Sequence, residues 1–188
     1  GTVTISRASG KVTYPCSLML VAAMNPCPCG FLGHPTKSCT CSPAAVSRYL
    51  GKISGPMLDR LDLHVEVPPV EYEDLISSKK EESSAQIKER VNAARKLQQK
   101  RYAGTSITCN ARIPESILQD VCMMTSSADT LLHNAFDKLG PSARAISRVL
   151  KVARTIADLD SSPQIEASHI AETIQYHSLD RKYWSKRS

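Results

Sequence analysis

Four cysteines, Cys27, Cys29, Cys39 and Cys41, fall within fifteen residues in the pattern C-x-C-x9-C-x-C. Four thiolates can complete a tetrahedral shell around Zn²⁺ with Zn–S distances of about 2.3 Å, so the spacing marks a candidate metal site. The pattern is not the common C-x2-C knuckle, and two other states stay open at this point: free thiols in a disordered loop, and oxidised disulfides. His34 could replace one sulfur, or simply sit in the loop facing water. Three further residues have types that suit chemistry on an anion. Asn25 closes an apolar run; Arg60 stands between Asp59 and Asp62; Arg144 opens a helical pattern that places Arg144, Arg148 and Lys151 on one side. Each also has an ordinary reading: Asn25 as a turn former, Arg60 as half of a local ion pair, the basic helix side as a solvated face.

The elements that must position these residues follow from the pattern of apolar side chains. Val3 and Ile5 alternate with polar residues, Ser9-Gly10-Lys11 supplies a turn, and Val12 and Tyr14 resume the alternation, which predicts a β-hairpin. Ser17 to Ala23 is a continuous apolar run of strand length ending at Asn25-Pro26, as expected of a strand buried on both faces, with its C-terminal end where α/β sheets place ligand-contacting residues. From Cys27 to Pro43 the chain is rich in Cys, Pro, Gly and Thr; without a metal it should be mobile. Leu61 to Val67 alternates and predicts another strand, and Pro68-Pro69 after it marks a domain boundary.

Beyond a charged stretch from Glu71 to Glu82 the pattern becomes helical. Ser83 with Gln86 forms a capping box, and Ile87, Val91, Ala94 and Leu97 recur at helical spacing. Further helices are expected at 114–122, 127–139, 142–159 and 164–176, with Gly140-Pro141 stopping one of them. In the helix expected over 142–159, Ile146, Val149, Leu150, Ala153 and Ile156 form the apolar side. The expected architecture is α/β followed by all-α: residues 1–70 a strand-containing piece with a Cys-rich insertion at 27–43, residues 71–188 a helical bundle.

Composition narrows the function classes. The chain has 188 residues, 41% of them hydrophobic, enough to bury a core as one domain or two small ones. No apolar run reaches the roughly 18 residues of a membrane span, and the start GTVTISRASGK lacks a signal peptide's apolar stretch, so no membrane partner is expected and the cytoplasm is the expected compartment. An odd count of seven cysteines fits a reducing compartment, where Cys16, Cys109 and Cys122 read as packed thiols. The formal charge of +6 divides evenly: 6 Lys/Arg against 3 Asp/Glu in residues 1–70, and 18 against 15 in residues 71–188. There is no basic tail, and this surplus alone does not argue for a polyanion partner.

The motifs V-x-I-S-R-A, L-V-A-A-M-N-P-C-P-C-G, I-S-G-P-M-L-D-R-L-D, S-A-R-A-I-S-R-V-L-K-V-A-R-T-I-A-D-L and Q-Y-H-S-L-D-R-K-Y-W occur in that order. Together, over nearly the whole chain, they resemble the magnesium chelatase-like AAA+ ATPases of the ComM type. The resemblance implies that residues 1–70 are the C-terminal remainder of an AAA+ core and residues 71–188 its helical lid. It implies sensor 1 for Asn25, the arginine finger for Arg60 and the sensor 2 arginine for Arg144, all acting on the phosphates of ATP bound with magnesium. It also implies a homo-oligomer, a hexamer when full length, and DNA as partner, with Arg7 and Lys11 of the hairpin lining a pore. The residue types suit these roles: an amide orients the attacking water, and guanidinium groups, always charged and fork-shaped, cancel charge on the γ-phosphate oxygens. Two departures, Cys16 in place of a small residue and His177 in place of Arg, leave the named roles intact.

Two other classes stand beside the DNA motor, namely a metal-insertion motor subunit and a zinc-stabilised interaction domain without motor role. The phosphate-cradling motif G-x-x-x-x-G-K-[ST] does not occur in the chain and is expected upstream of residue 1, together with the acidic strand end that holds magnesium. The 188-residue chain alone is therefore expected to hydrolyse no ATP. A phosphate-release assay on the isolated chain checks this, and robust turnover would contradict the resemblance.

Overall fold

A computed structural model of the chain describes residues 2–58, 60–70, 72, 76, 81–139 and 143–176, and of 138–139 and 143–145 the backbone alone. Two compact units emerge, Gly1–Tyr49 and Leu50–Ser188. The second begins before Pro68-Pro69 because the intervening segment is attached to the helices: the His64 N–H donates to the Tyr176 carbonyl at 2.9 Å, and Arg148 Nε lies 3.5 Å from Asp62 Oδ1.

In the first unit, strands β1 (Thr2–Arg7) and β2 (Gly10–Pro15) pair antiparallel, Val3 opposite Tyr14, Ile5 opposite Val12 and Arg7 opposite Gly10. Thr4 and Thr13 hydroxyls meet at 3.0 Å on the other face. The apolar run after the hairpin does not form the expected strand. Residues 16–25 are irregular, and Leu18, Met19, Leu20 and Val21 are exposed. A strand buried on both faces needs neighbours for its N–H and C=O groups and layers above and below; among the described residues β1 and β2 make the only ladder, and they pair with each other. The predicted strand over Leu61 to Val67 fails for the same reason, with Leu63, Val65 and Val67 exposed.

Helix α1 (Pro43–Leu50) follows the Cys-rich loop and was signalled by a short-range pattern: Ser42 caps it, accepting the Ala45 N–H at 3.2 Å, and Pro43 occupies the first turn where its missing N–H costs nothing. A single turn, α2 (Gly55–Leu58), comes next. Helix α3 (Ser84–Arg101) begins at the expected capping box, in which the Ser83 N–H donates to Gln86 Oε1 at 2.8 Å and the Gln86 N–H donates back to Ser83 Oγ at 3.4 Å. The helix expected over 114–122 is broken into a 3₁₀ turn (Glu115–Ile117) and a single α-turn, α4 (Leu118–Val121), since Ile117 leaves helical geometry at φ −121°, ψ 6°. Helices α5 (Ser126–Leu139), α6 (Ala143–Leu159) and α7 (Ala167–Tyr176) complete the bundle close to the expected bounds. Among the described residues no helix is long and apolar enough to cross a membrane.

The bundle's apolar core is built from Tyr102, Ile113, Leu118, Cys122, Ala128, Leu150, Ala153, Ala157, Ile165 and Ile170. Leu150, Ala153 and Ile156 of the expected apolar side of α6 are buried, with Ile146 and Val149 half-buried. Burial pushes the Cys122 thiol up to about 11, so it stays a neutral, packed group.

Within this core lies a polar cluster that the sequence reading missed. The Asp158 carboxylate is fully buried and accepts from Arg101 Nη1 at 2.8 Å, Asn110 Nδ2 at 2.8 Å and Arg154 Nε at 3.2 Å. Arg101 Nη2 donates to Oδ1, the oxygen that also accepts from Arg154, while Oδ2 takes Arg101 Nη1 and Asn110. Arg154, itself buried, also donates to the Ser162 and Pro163 carbonyls at 2.6 and 3.0 Å, fixing the loop between α6 and α7. Burial alone would raise the Asp158 carboxyl, but the hydrogen bonds from Arg101 and Asn110 and the two guanidinium charges outweigh it and hold it below the usual carboxylate range.

Because that carboxyl is held lower in the folded chain than in the unfolded one, its stabilisation is complete above the unfolded value of about 3.9 and disappears as pH falls through the folded value. Asp158→Ala, which strands the buried Arg154 guanidinium and the half-buried one of Arg101, should cost about 3–5 kcal/mol at neutral pH. Urea titrations from pH 7 to pH 2 check both statements: the wild-type chain should lose stability steeply below pH 4, and Asp158→Asn should show a flatter acid limb.

Candidate functional site

The four loop cysteines are brought together. Cys27 Sγ lies 3.4 Å from Cys29 and 3.6 Å from Cys39, Cys29 lies 3.5 Å from Cys39, and all four sulfurs, Cys41 included, fall within 4.8 Å of one another. Four ligands on a tetrahedron of 2.3 Å arms stand about 3.8 Å apart, so the arrangement is close to a zinc thiolate shell. The loop backbone is wrapped to suit anionic sulfur. N–H groups of Phe31 and Thr40 face Cys29 and lower its thiol to about 5. The Cys41 N–H acts in the same direction on Cys39, but desolvation and the neighbouring sulfurs push that thiol up to about 12. One thiolate is favoured and the next resisted, which is the electrostatic situation a divalent cation relieves.

Cys27 is fully buried, and its carbonyl accepts the Gly30 N–H at 3.0 Å, closing the first turn of the loop. Gly30 has φ +84°, in the region that only glycine adopts readily. His34 is not a member of the sulfur cluster. Its Nδ1 accepts the backbone N–H groups of Thr36 and Lys37, each at 3.2 Å, and its ring meets Phe31 edge-on at 5.7 Å. It holds the loop's second turn.

Asn25 is exposed at the end of the irregular segment, and its side-chain amide lies against Gly30: a Cβ on Gly30 would sit 3.9 Å from both Asn25 Cγ and Nδ2. Asn25 and the cysteine loop thus form one local structure in the first unit. Arg60 and Arg144 belong to the second. Arg60 follows α2, is exposed, and donates from Nη1 to the Pro56 carbonyl at 2.6 Å. Among the described residues no carboxylate lies within ion-pair distance of it, Asp62 being engaged by Arg148, while Asp59 lies outside the described residues. Arg144 is in the first turn of α6, and its side chain lies outside the described residues. Of the expected basic side of that helix, Arg148 and Lys151 are half-buried.

The hairpin places Arg7 and Lys11 on opposite faces. Alternation along β1 and β2 puts Arg7 with Ile5, Val12 and Tyr14 around one shallow depression, and Lys11 with Ser6, Thr4 and Thr13 on the reverse. Both stand near the tip and both are exposed, and the two residues present charge to either side of it rather than as one patch.

Comparison with known proteins bears on what these groups do. The profile of the family described as "Magnesium chelatase, subunit ChlI" matches residues 1–75, and that of "Magnesium chelatase, subunit ChlI C-terminal" matches residues 81–177. Competence protein ComM of Haemophilus influenzae is 40% identical over 183 residues, covering 96% of this chain and 35% of its own length. "Uncharacterized protein YifB" of Salmonella typhimurium is 39% identical over 184 residues, again 96% of this chain and 35% of its own length. "Uncharacterized protein Rv2897c" of Mycobacterium tuberculosis is 35% identical over 168 residues, 88% of this chain and 33% of its own. The chain therefore spans about a third of the length of these relatives.

The sulfur geometry generates a direct expectation. Reduced chain prepared without chelators should take up about one Zn²⁺ per molecule, and Co²⁺ in its place should show the visible absorption of tetrahedral thiolate coordination. Replacing Cys39 and Cys41 by Ser should abolish the signal. A zinc content near zero, with no uptake on titration, would leave the cluster as four free thiols.

Proposed function

This chain belongs to the magnesium chelatase ChlI family, and from that membership we propose that the protein carrying it is a ring-forming AAA+ ATPase acting on DNA as a helicase or branch-migration motor. In this reading residues 1–70 are the C-terminal remainder of the AAA+ core and residues 71–188 its helical lid. The two profile matches, which change over between residues 75 and 81, support that division. Asn25 orients the attacking water, Arg60 reaches the ATP of a neighbouring subunit, and Arg144 contacts the phosphates from the lid. Magnesium accompanies the ATP. Zn²⁺ held by Cys27, Cys29, Cys39 and Cys41 is structural, and the hairpin residues Arg7 and Lys11 contact the DNA backbone from a ring of six subunits in the cytoplasm. Since G-x-x-x-x-G-K-[ST] is absent from its 188 residues, the chain by itself supplies these groups without turning over ATP.

The observation that carries the reading is the state of Arg60. An arginine between two aspartates ordinarily folds onto one of them. Here the guanidinium is exposed beyond a one-turn helix, and among the described residues it is held by the Pro56 carbonyl four residues back, Asp62 being engaged by Arg148. Such a group retains its charge and its remaining donors for an external anion. The family's description as a magnesium chelatase subunit favours a second reading, a metal-insertion motor subunit. The two separate on one measurement: the DNA motor's ATPase is stimulated by DNA, with binding that weakens steeply as salt rises.

A trans-acting arginine acts on charge that appears in the transition state and is worth roughly 10³–10⁵ in turnover. Arg60→Ala in the full-length protein should therefore abolish hydrolysis while nucleotide binding largely survives. Mixed with a subunit lacking its phosphate-loop lysine, the Arg60→Ala subunit should regain part of the activity, because each supplies what the other lacks. Mixed rings that form but stay inactive would return Arg60 to a local role.

A further inference from the structure

The cysteine loop and Asn25 are too close to be separate devices. We propose that the metal-bound loop is the positioning element for Asn25, so that zinc occupancy controls the hydrolysis step itself and not merely the stability of the loop. The proposal rests on the reading of Asn25 as the water-orienting residue and adds what sets its position.

No regular element among the described residues of the first unit holds Asn25. The segment leading to it, residues 16–25, is irregular and exposed, and no ladder or helix in the described unit orients it. What does lie beside it is the first turn of the loop. Two residues on, Cys27 is fully buried, and its carbonyl takes the Gly30 N–H at 3.0 Å. That bond and the φ of +84° at Gly30 bring the Gly30 Cα under the Asn25 amide, within a distance where an added Cβ would be in van der Waals contact with Cγ and Nδ2. The turn's shape thus sets where the amide stands.

The turn's shape is in turn set by the sulfurs. Cys27, at its start, and Cys29, inside it, face Cys39 at 3.6 and 3.5 Å across ten or more residues of Pro- and Gly-containing chain. Neutral thiols at such separations attract weakly, and thiolates repel. A divalent ion converts the repulsion into four coordinate bonds and clamps the two ends of the loop. Without it, the Cys27–Gly30 turn is free to open and to carry Asn25 with it. Because an error of about 1 Å in a positioning group can cost 10²-fold in rate, a small displacement suffices.

The test uses the full-length protein in five forms: zinc-loaded, chelator-stripped, stripped and reloaded with zinc, Gly30→Ala, and Asn25→Ala. Stripping should lower kcat roughly 10- to 100-fold while nucleotide Kd stays within about twofold, and reloading should restore the rate. Gly30→Ala keeps all four cysteines and should retain zinc, yet lose kcat to a similar extent, since alanine is strained at that φ and shifts the turn on which the amide rests. In Asn25→Ala, stripping should cause no further loss, because the coupled partner is already gone. Independently of activity, the side-chain amide resonance of Asn25 in the 188-residue chain should shift when zinc is withdrawn. If the stripped protein turns over at the loaded rate while Asn25→Ala is inactive, the coupling fails and the role of Asn25 stands. Should Asn25→Ala hydrolyse ATP at the wild-type rate, the role fails and the coupling with it. Parallel losses of kcat and nucleotide affinity on stripping would make the loop a mere structural support, and so would a failure of the protein to bind zinc at all; either result overturns the proposal.

Discussion

The helical unit is organised around one buried anion. Asp158 collects hydrogen bonds from α3 through Arg101, from a 3₁₀ turn over Asn110–Arg112 through Asn110, and from its own helix through Arg154. Through Arg154 it extends to the Ser162 and Pro163 carbonyls, and through Asn110 to Gln98, Tyr102 and Thr155. A carboxylate in an apolar core is costly unless its charge and its lone pairs are matched, so the geometry around it has little freedom. This suits a bundle whose apolar residues are modest in size. Alanines 94, 128, 153 and 157 sit at buried positions, where a core of small side chains alone would specify helix register weakly.

The first unit depends on a different kind of constraint. It contains a two-stranded ladder, an irregular apolar segment and a loop whose sulfurs converge, and its described apolar side chains are with one exception exposed or half-buried. An isolated hairpin is at best marginal in water, and little burial is available to order the rest. Cys27 is the exception, fully buried at the point where the sulfur cluster and the Gly30 turn meet. Coordination energy can stand in for burial in so small a unit, as structural zinc does elsewhere.

Much of this was legible in the residues themselves wherever the determining interaction is short in sequence. The capping box of Ser83 and Gln86 and the apolar side of α6 depend on neighbours within a few positions and are found where the pattern puts them, while the hairpin expected around Ser9-Gly10-Lys11 forms with its turn at Ala8-Ser9, Gly10 and Lys11 being paired in β2. The convergence of the four cysteines was readable as well, since chelation constrains type and spacing together. Helix α1 carried its signal in Ser42-Pro43. The segments at 17–23 and 61–67 were misread because an apolar run specifies a strand only when partner strands are there to receive its hydrogen bonds.

The sequence by itself determined the family, the helical periods of the second unit and the types of residue available for chemistry, because composition, caps and motif order are local properties. Tertiary structure alone decided that Arg101 and Asp158, 57 residues apart, would share a partly buried ion pair, and that Asp62 would be taken up by Arg148, with Arg60 exposed. It also decided that Arg7 and Lys11 would face opposite ways and that Asn25 would lie on the turn of the cysteine loop. Those outcomes depend on which groups meet in space, and electrostatic and packing energies act on distance without regard to position along the chain.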